Sequence, residues 1–261
     1  MHALTINDVS FRYTPSVPTL QHVSFDVMPG EFLSIVGPNG SGKSTLLRLL
    51  DRIYVPHSGK IALDGQSLAS YTRAELARRI AFVPQDSGIM FPFTVEELVL
   101  MGRAPHTMGR AFESMHDREV AVAMMSLLDI AHLANQSVTT LSDGERQRVL
   151  IARALAQEAR ILLLDEPNAH LDIAHQIDVF AILKKLNKEK GLTIVSVSHD
   201  LNLASAFSNR IAMLMCGSIA AIGTPAEVLT EARIKNVFRT DVLVDTHPDE
   251  ETLRITLRTI H

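Results

Sequence analysis

An α/β fold with a mainly parallel central sheet is what the sequence predicts, and three observations carry it. A short apolar run, EFLSIV (31–36), leads straight into the glycine-rich turn GPNGSGKST and the helical stretch LLRLLDRIY. Short apolar strands then alternate with helical stretches over much of the chain. From residue 86 to 157, by contrast, β-branched runs become scarce and the pattern turns helical. The expected plan is one domain with an antiparallel β subdomain at its N-terminus. Its α/β core spans 1–85 and 158–261, and an α-helical subdomain is inserted at 86–157.

Composition narrows the function classes. The 261 residues are 46% apolar, enough for a substantial core. The net charge of −4, from 25 basic and 29 acidic side chains, offers no basic surface of the kind that selects nucleic acid. A single cysteine, Cys216, cannot form an internal disulfide and suits a reducing compartment; it is expected as a small buried hydrophobe or a turn residue. The N-terminus MHALTINDVSFRY lacks the charged start and apolar run of a secretory signal, and no segment approaches 18 uninterrupted apolar residues. A soluble intracellular protein is expected, held at a membrane only through a partner.

The remaining elements follow in order. Residues 2–13 and 20–28 read as strands joined by the turn TPSVP, GKIALDG (59–65) as a strand between glycines, and RRIAFVPQ (78–85) as another. Thr94 and Glu97 form a T-x-x-E capping box that starts a helix at VEELVLMG. Met90, Met101, Met108, Met115, Met124 and Met125 crowd this region and are expected to pack a core adaptably. RILLLDEP (160–167) resumes the α/β pattern, and Asp172 caps a helix in which Ile173, Ile177, Phe180 and Leu183 keep helical spacing. LTIVSVSH (192–199) reads as a buried strand, RIAMLMCGSIAAIG as a hairpin turning at Cys216-Gly217, and VLVDT and TLRITL as two final strands.

Three stretches carry chemistry. GPNGSGKS fits G-x-x-x-x-G-K-[ST] through Gly37, Pro38, Asn39, Gly40, Ser41, Gly42, Lys43 and Ser44, with Thr45 next. Glycines let the chain curl until backbone N–H groups converge on phosphate oxygens, and the following helix offers its positive end. Lys43 would reach the β- and γ-phosphates and Ser44 would supply a hydroxyl to Mg2+, which marks a P-loop NTPase core. Lys-Ser at the helix start fits a triphosphate with Mg2+ better than a dinucleotide. ILLLDE (161–166) ends a buried strand in Asp165, expected to hold Mg2+, and Glu166, expected to polarise an attacking water. In LSDGERQRV (141–149), Ser142 and Glu145 fit S-x-x-E, so a helix should begin there with its N–H groups available to an anion.

Together these stretches resemble the ATP-binding cassette (ABC) family, and the likeness runs across nearly the whole chain. LSDGERQRV looks like the family's signature motif, usually LSGGQ, which closes over the γ-phosphate held by the phosphate loop of a second subunit. The resemblance therefore assigns Ser142, Gly144 and Glu145 to the nucleotide of a partner copy. Asp143 stands where the family usually has Gly, and Glu145 where it usually has Gln. A carboxylate at 143 would repel phosphate in a dehydrated site, so Asp143 is expected to point outward. Tyr13 resembles the aromatic that stacks on the base, and Gln85 the glutamine that senses Mg2+ and the attacking water. NAHLD (168–172) resembles the loop linking the two sites across the dimer, and His199 the switch histidine near the γ-phosphate. The implied reaction is ATP hydrolysis, with Glu166 orienting water and His199 stabilising the developing charge.

ELARRIAFVPQ and FTVEELVLMGRAPHT look most like the ATPases of importers for iron–siderophore complexes, haem, vitamin B12 and similar metal chelates. That likeness implies ATP and Mg2+ as cofactors, a second copy as partner, and integral membrane permease subunits contacted by the helical segment. It also implies an extracytoplasmic substrate-binding protein reached indirectly, no nucleic acid, and a peripheral place on the cytoplasmic face of the inner membrane. The alternative is a soluble cassette of DNA repair or translation. Those usually carry two cassettes or a long coiled coil between phosphate loop and signature, whereas here only a compact helical stretch intervenes. A phosphate-loop kinase would leave 141–149 unemployed. A GTPase would want N-K-x-D, but NKEK (187–190) lacks the Asp and reads as solvated surface. His170 and His175, five apart, do not share a helix face, and no transition-metal site is expected.

Overall fold

Period-two burial builds the first layer. In the computed structural model, which describes residues 2–14, 16–85, 88, 91–107, 113–168, 171–248 and 252–258, β1 (Leu4–Thr14) buries Leu4, Ile6, Val9 and Phe11. β2 (Val17–Val27) pairs with it antiparallel, Leu4 opposite Val27 and Thr14 opposite Val17. The hairpin is tighter than TPSVP suggests, because Val17 and Pro18 already belong to the strand. Pro18 is tolerated there since β2 is an edge strand. β3 (Phe32–Val36) is buried along its whole length and feeds α1 (Lys43–Leu50), which stops well short of the sequence estimate. β4 (Ser58–Leu63) and β5 (Gln66–Ser67) complete an antiparallel sheet of order β2-β1-β4-β5.

Contacts divide the chain into two units, Met1–Ser70 with Thr193–His261, and Tyr71–Leu192. The second contains α2 (Arg73–Ala77), β6 (Ile80–Val83), α3 (Val95–Leu100), α4 (Ala104–Thr107), α5 (Met115–Leu127), α6 (Asp143–Ala156), β7 (Ile161–Asp165) and α7 (Ile173–Lys190). Thr94 caps α3 through the expected box with Glu97, and Asp172 caps α7 by accepting from the His175 N–H at 2.8 Å. Helices α3, α5 and α6 pack together around Leu98, Val99, Val120, Ala121, Met125, Val149 and Leu150. Each such side chain contributes about 1–3 kcal/mol by leaving water. Within this unit Arg103 is buried beside Asp117: its Nε donates to Oδ1 at 3.0 Å, and its guanidinium also reaches Ala156 O and Glu158, both at 2.7 Å. Hydrogen bonds from Ser114, reinforced by Arg103, hold the Asp117 carboxyl well below the usual carboxylate range.

Three expectations need correction here. Met125 is buried, but Met115 is 79% exposed and Met101 also faces out, because they stand at helix ends rather than on the packed stripe. Met90 and Met108 lie outside the described residues. On α7 the buried stripe runs through Val179, Phe180, Leu183, Leu186 and Asn187, while Ile173 and Ile177 fall to one side of it, exposed. Asn187, read as solvated surface, is buried and donates its Nδ2–H to Leu192 O at 2.8 Å, closing the end of the helix.

The first unit resumes with β8 (Thr193–Val197), α8 (Leu201–Phe207), β9 (Arg210–Met215), β10 (Ser218–Gly223), α9 (Pro225–Val228), α10 (Glu231–Phe238), β11 (Val242–Thr246) and β12 (Leu253–Leu257). β3 runs parallel to both β8 and β9, and β10 folds back antiparallel on β9. In the second unit β6 and β7 are likewise parallel. β3, β7 and β8 are buried throughout, the continuous apolar reading of parallel strands covered on both faces. The mixed α/β class, with its antiparallel N-terminal sheet and mainly parallel core strands, is the one the sequence predicts. Cys216 is an exposed turn residue, not a buried hydrophobe, and adopts a φ of 48° in the β9–β10 turn. No helix among the described residues is long and apolar enough to cross a membrane.

Candidate nucleotide site

The phosphate loop leaves β3 and is shaped by what it packs on. Gly37 has a φ of +154°, and a Cβ there would lie 2.3 Å from Leu214 O. Gly42 has a φ of +101°, and its Cβ would meet Leu20 Cδ2 at 2.7 Å and Thr19 O at 2.9 Å. Both positions therefore demand glycine twice over, by backbone conformation and by close approach. The Gly217 N–H donates to Ser41 O at 3.2 Å, so the β9–β10 turn braces the loop from outside. Lys43 is only 5% exposed, and its Nζ donates to Gly37 O at 2.9 Å and Pro38 O at 3.1 Å. The ammonium is thus held inside the curl of the loop. Ser41 is buried, and its Oγ has no hydrogen-bond partner among the described residues. α1 has no acidic residue in its first turn and no side-chain cap. A buried ammonium, an unsatisfied hydroxyl and an uncompensated helix start form a cradle suited to phosphate.

Strand register brings further expected residues beside this loop. Ile35 pairs with Val197, so positions 37 and 199, each two residues further on, follow the same C-terminal end of the parallel pair. The Ser198 N–H donates to Ile35 O at 3.1 Å, and His199 follows, exposed. Tyr13 is 54% exposed, and its hydroxyl meets Thr45 Oγ1 at 3.0 Å. Its ring stands edge-on to Phe11 and Tyr54, with centroids 5.1 and 5.5 Å away. An aromatic held at its edge, tethered to the first turn of α1 and open to solvent, is the kind of side chain on which a planar ring can stack.

In the second unit, register again explains the geometry. Val83 pairs with Leu164, so Gln85 and Glu166 emerge side by side, and Gln85 Nε2 donates to Glu166 Oε2 at 2.7 Å. Asp165 ends β7 almost wholly buried, 1% exposed. Glu166 is 8% exposed and takes a φ of +53°, uncommon for a residue with a side chain and costing on the order of 1 kcal/mol.

The stretch 141–149 forms the expected helix start. Ser142 caps α6 and accepts from the Glu145 N–H at 3.3 Å. Glu145 Oε2 in return accepts from the Ser142 N–H at 2.9 Å and from its hydroxyl at 2.7 Å. Those bonds, the hydroxyl's first, lower the Glu145 carboxyl below its ordinary range. Asp143 is exposed and paired with Arg146. Gly144 lies half-buried in the first turn. Asn168 and Asp172 of NAHLD are described; Ala169 and His170 lie outside the described residues.

With this geometry in hand, comparison with known proteins is decisive. Residues 20–169 match the family model described as ABC transporter. The chain belongs to the ABC transporter family. The ferric enterobactin transport ATP-binding protein FepC of Escherichia coli K12 is 44% identical over 218 residues, covering 84% of this chain and 80% of its own. Among solved structures, an inward-facing metal-chelate type ABC transporter aligns over 99% of this chain and 98% of its own, with TM-score 0.85 and 33% identity. A dimeric cassette, MJ0796 in a post-hydrolysis state bound to ADP and Pi, aligns over 85% of this chain and 98% of its own, with TM-score 0.76 and 31% identity. As a member of this family, the chain is a nucleotide-binding ATPase cassette.

Sequence reasoning found the ABC motifs but not what supports them. Thr19, Leu20 and Leu214 wall in the loop glycines, and Phe11 and Tyr54 set the angle of Tyr13. None belongs to a motif, and only their contacts reveal them.

Proposed function

We propose that this chain is the ATP-hydrolysing subunit of a membrane importer and couples ATP binding and hydrolysis to uptake of a metal chelate of the iron–siderophore, haem or cobalamin kind. One observation carries the hydrolytic part: Glu166, nearly buried, strained and held by Gln85 at 2.7 Å. A carboxylate so fixed is suited to orient a water for in-line attack on a γ-phosphate, and its amide partner ties it to the helical segment that follows. Lys43, the loop residues 37–45 and the Gly42-capped helix would bind the phosphates, Tyr13 would stack on the base, and His199 would stabilise charge developing on the γ-phosphate.

Mg2+ fits the donor set. Ser44 offers a hydroxyl, Asp165 a buried carboxylate and Gln85 an amide oxygen, all hard oxygen ligands of the kind Mg2+ prefers. Bound there, the ion would neutralise charge on the β- and γ-phosphates.

Two copies would pack head to tail, with Ser142, Gly144 and Glu145 of one roofing the nucleotide of the other. The exposed helix start at Ser142 and the dimeric state of the related cassette support this. Permease subunits would meet the helical segment, an extracytoplasmic binding protein would act through them, and the chain would sit peripherally on the cytoplasmic face of the inner membrane. The likeness to FepC and to the metal-chelate transporter favours this over a soluble repair or translation cassette.

Glu166→Gln tests the assignment. The variant should bind ATP normally, lose turnover by at least about a hundredfold and accumulate as an ATP-dependent dimer in sedimentation. Normal turnover in that variant would remove Glu166 from its role.

A further inference from the structure

The C-terminal hairpin plays no part in the reading above and lies beyond residues 20–169, which carry the family match. It is nonetheless fastened to α8, the helix that follows the turn carrying His199. On the N-terminal side of that histidine, the Ser198 N–H bonds to Ile35 O at 3.1 Å, which ties the turn to β3. On the other side Asp200 caps α8, its Oδ1 accepting from the Asn202 and Leu203 N–H groups at 2.8 and 3.0 Å. α8 has seven residues, too few to hold itself in water.

What anchors its first turn is the Asn202 side chain. Its Oδ1 accepts from the Ile255 N–H at 2.7 Å, and its Nδ2 donates to Ile255 O at 3.2 Å. The amide thus pairs with β12 as the peptide of a neighbouring strand would, using a donor and an acceptor on one residue 53 positions away. Leu201 and Ala204 of α8 share an apolar cluster with Val242, Val244, Leu253 and Ile255 of the hairpin. The joint therefore couples two packed bodies, and it lies three residues after His199.

We infer that Asn202 is a positioning residue: by locking α8 to the C-terminal hairpin it fixes the place of His199, so the hairpin governs the hydrolytic step and not nucleotide capture. The inference rests on the proposed role of His199 at the γ-phosphate. Loss of the two hydrogen bonds leaves the apolar cluster and the Asp200 cap to hold α8. Without the directional pairing to Ile255 the helix loses its fixed register, and the histidine three residues before the joint loses precision of placement.

The test uses the full-length chain with N202A, H199A and the double variant, measuring steady-state ATPase and the affinity for a fluorescent ATP analogue. N202A should lower kcat about fivefold, while KM and the analogue's affinity stay within about twofold of wild type. In the H199A background N202A should lower kcat no further, because both act through one group. A joint that merely stabilises the fold would lower kcat by the same factor in both backgrounds or raise KM with it, and either result overturns the proposal. So does wild-type kcat in N202A. If H199A itself keeps full kcat, the underlying role of His199 is wrong and the proposal goes with it. If H199A is impaired and the two losses multiply, only the proposal fails. N202D keeps the acceptor for the Ile255 N–H and loses the donor to Ile255 O; it carries the same comparison if melting curves show that N202A does not fold.

Discussion

The Glu145 carboxylate is the sharpest departure of the signature stretch, and replacing it has an effect that can be worked out. It binds Ser142 twice, through the N–H at 2.9 Å and the hydroxyl at 2.7 Å, so the hydroxyl proposed to meet a partner's γ-phosphate is already donated elsewhere. A hydrogen bond to a charged acceptor contributes about 1.5–3 kcal/mol and one to a neutral acceptor about 0.5–1.5. Glu145 is half-buried and still reached by solvent, so screening puts its bonds toward the low end. Glu145→Gln should therefore make the hydroxyl about 1 kcal/mol easier to release in each copy, about 2 kcal/mol over the two sites and roughly a thirtyfold gain in dimer affinity. The same change removes a negative charge from the start of α6, worth about 0.3–1 kcal/mol, and should lower the melting temperature by about 1–3 °C. Sedimentation with ATP in the hydrolysis-blocked Glu166→Gln background reads the first effect, and a thermal melt reads the second. Stability lost with no gain in dimer affinity would show that Ser142 never gives up its bond to Glu145, and the roofing role would fall.

Lys43→Ala should weaken both nucleotide affinity and turnover by at least about tenfold while the fold survives, as circular dichroism would report; unchanged affinity would take the ammonium out of the phosphate cradle. Gly42→Ala forces a side chain into a φ of +101° and against Leu20 and Thr19, so denaturant unfolding should reveal a loss of about 2–4 kcal/mol. A wild-type unfolding curve would mean the loop is not seated against β2. Asp117→Asn should cost about 3 kcal/mol by leaving buried Arg103 poorly paired. The folded Asp117 carboxyl is depressed, so its stabilisation is complete above the unfolded value near pH 4 and drains away as pH falls toward the folded one. Melting temperature against pH should accordingly fall less steeply below pH 4 in the variant than in wild type; equal slopes would deny Asp117 that part.

Much of this protein could be read before any coordinates because the governing interactions are local. Every capping box joins residues three positions apart: Thr94 with Glu97, Ser142 with Glu145. The phosphate-loop motif is recognisable from its own glycines, lysine and the helix that follows, and the β9–β10 turn from Cys216 and Gly217. Continuous apolar runs such as ILLLD and TIVSV announce covered parallel strands by themselves. Local chemistry thus determined the elements, their class and the motifs.

Tertiary structure alone decided which side chains are covered and which meet. Ile173 and Ile177 keep helical spacing yet lie outside, and Asn187 looks like surface yet is buried, because burial depends on what packs against α7 and not on its period. Gln85 reaches Glu166 only because Val83 lies opposite Leu164, and Asn202 finds Ile255 only because the last hairpin folds back beside α8. Such contacts join residues that are far apart in the chain, where loop closure and register set the outcome and spacing within the sequence carries no trace of it.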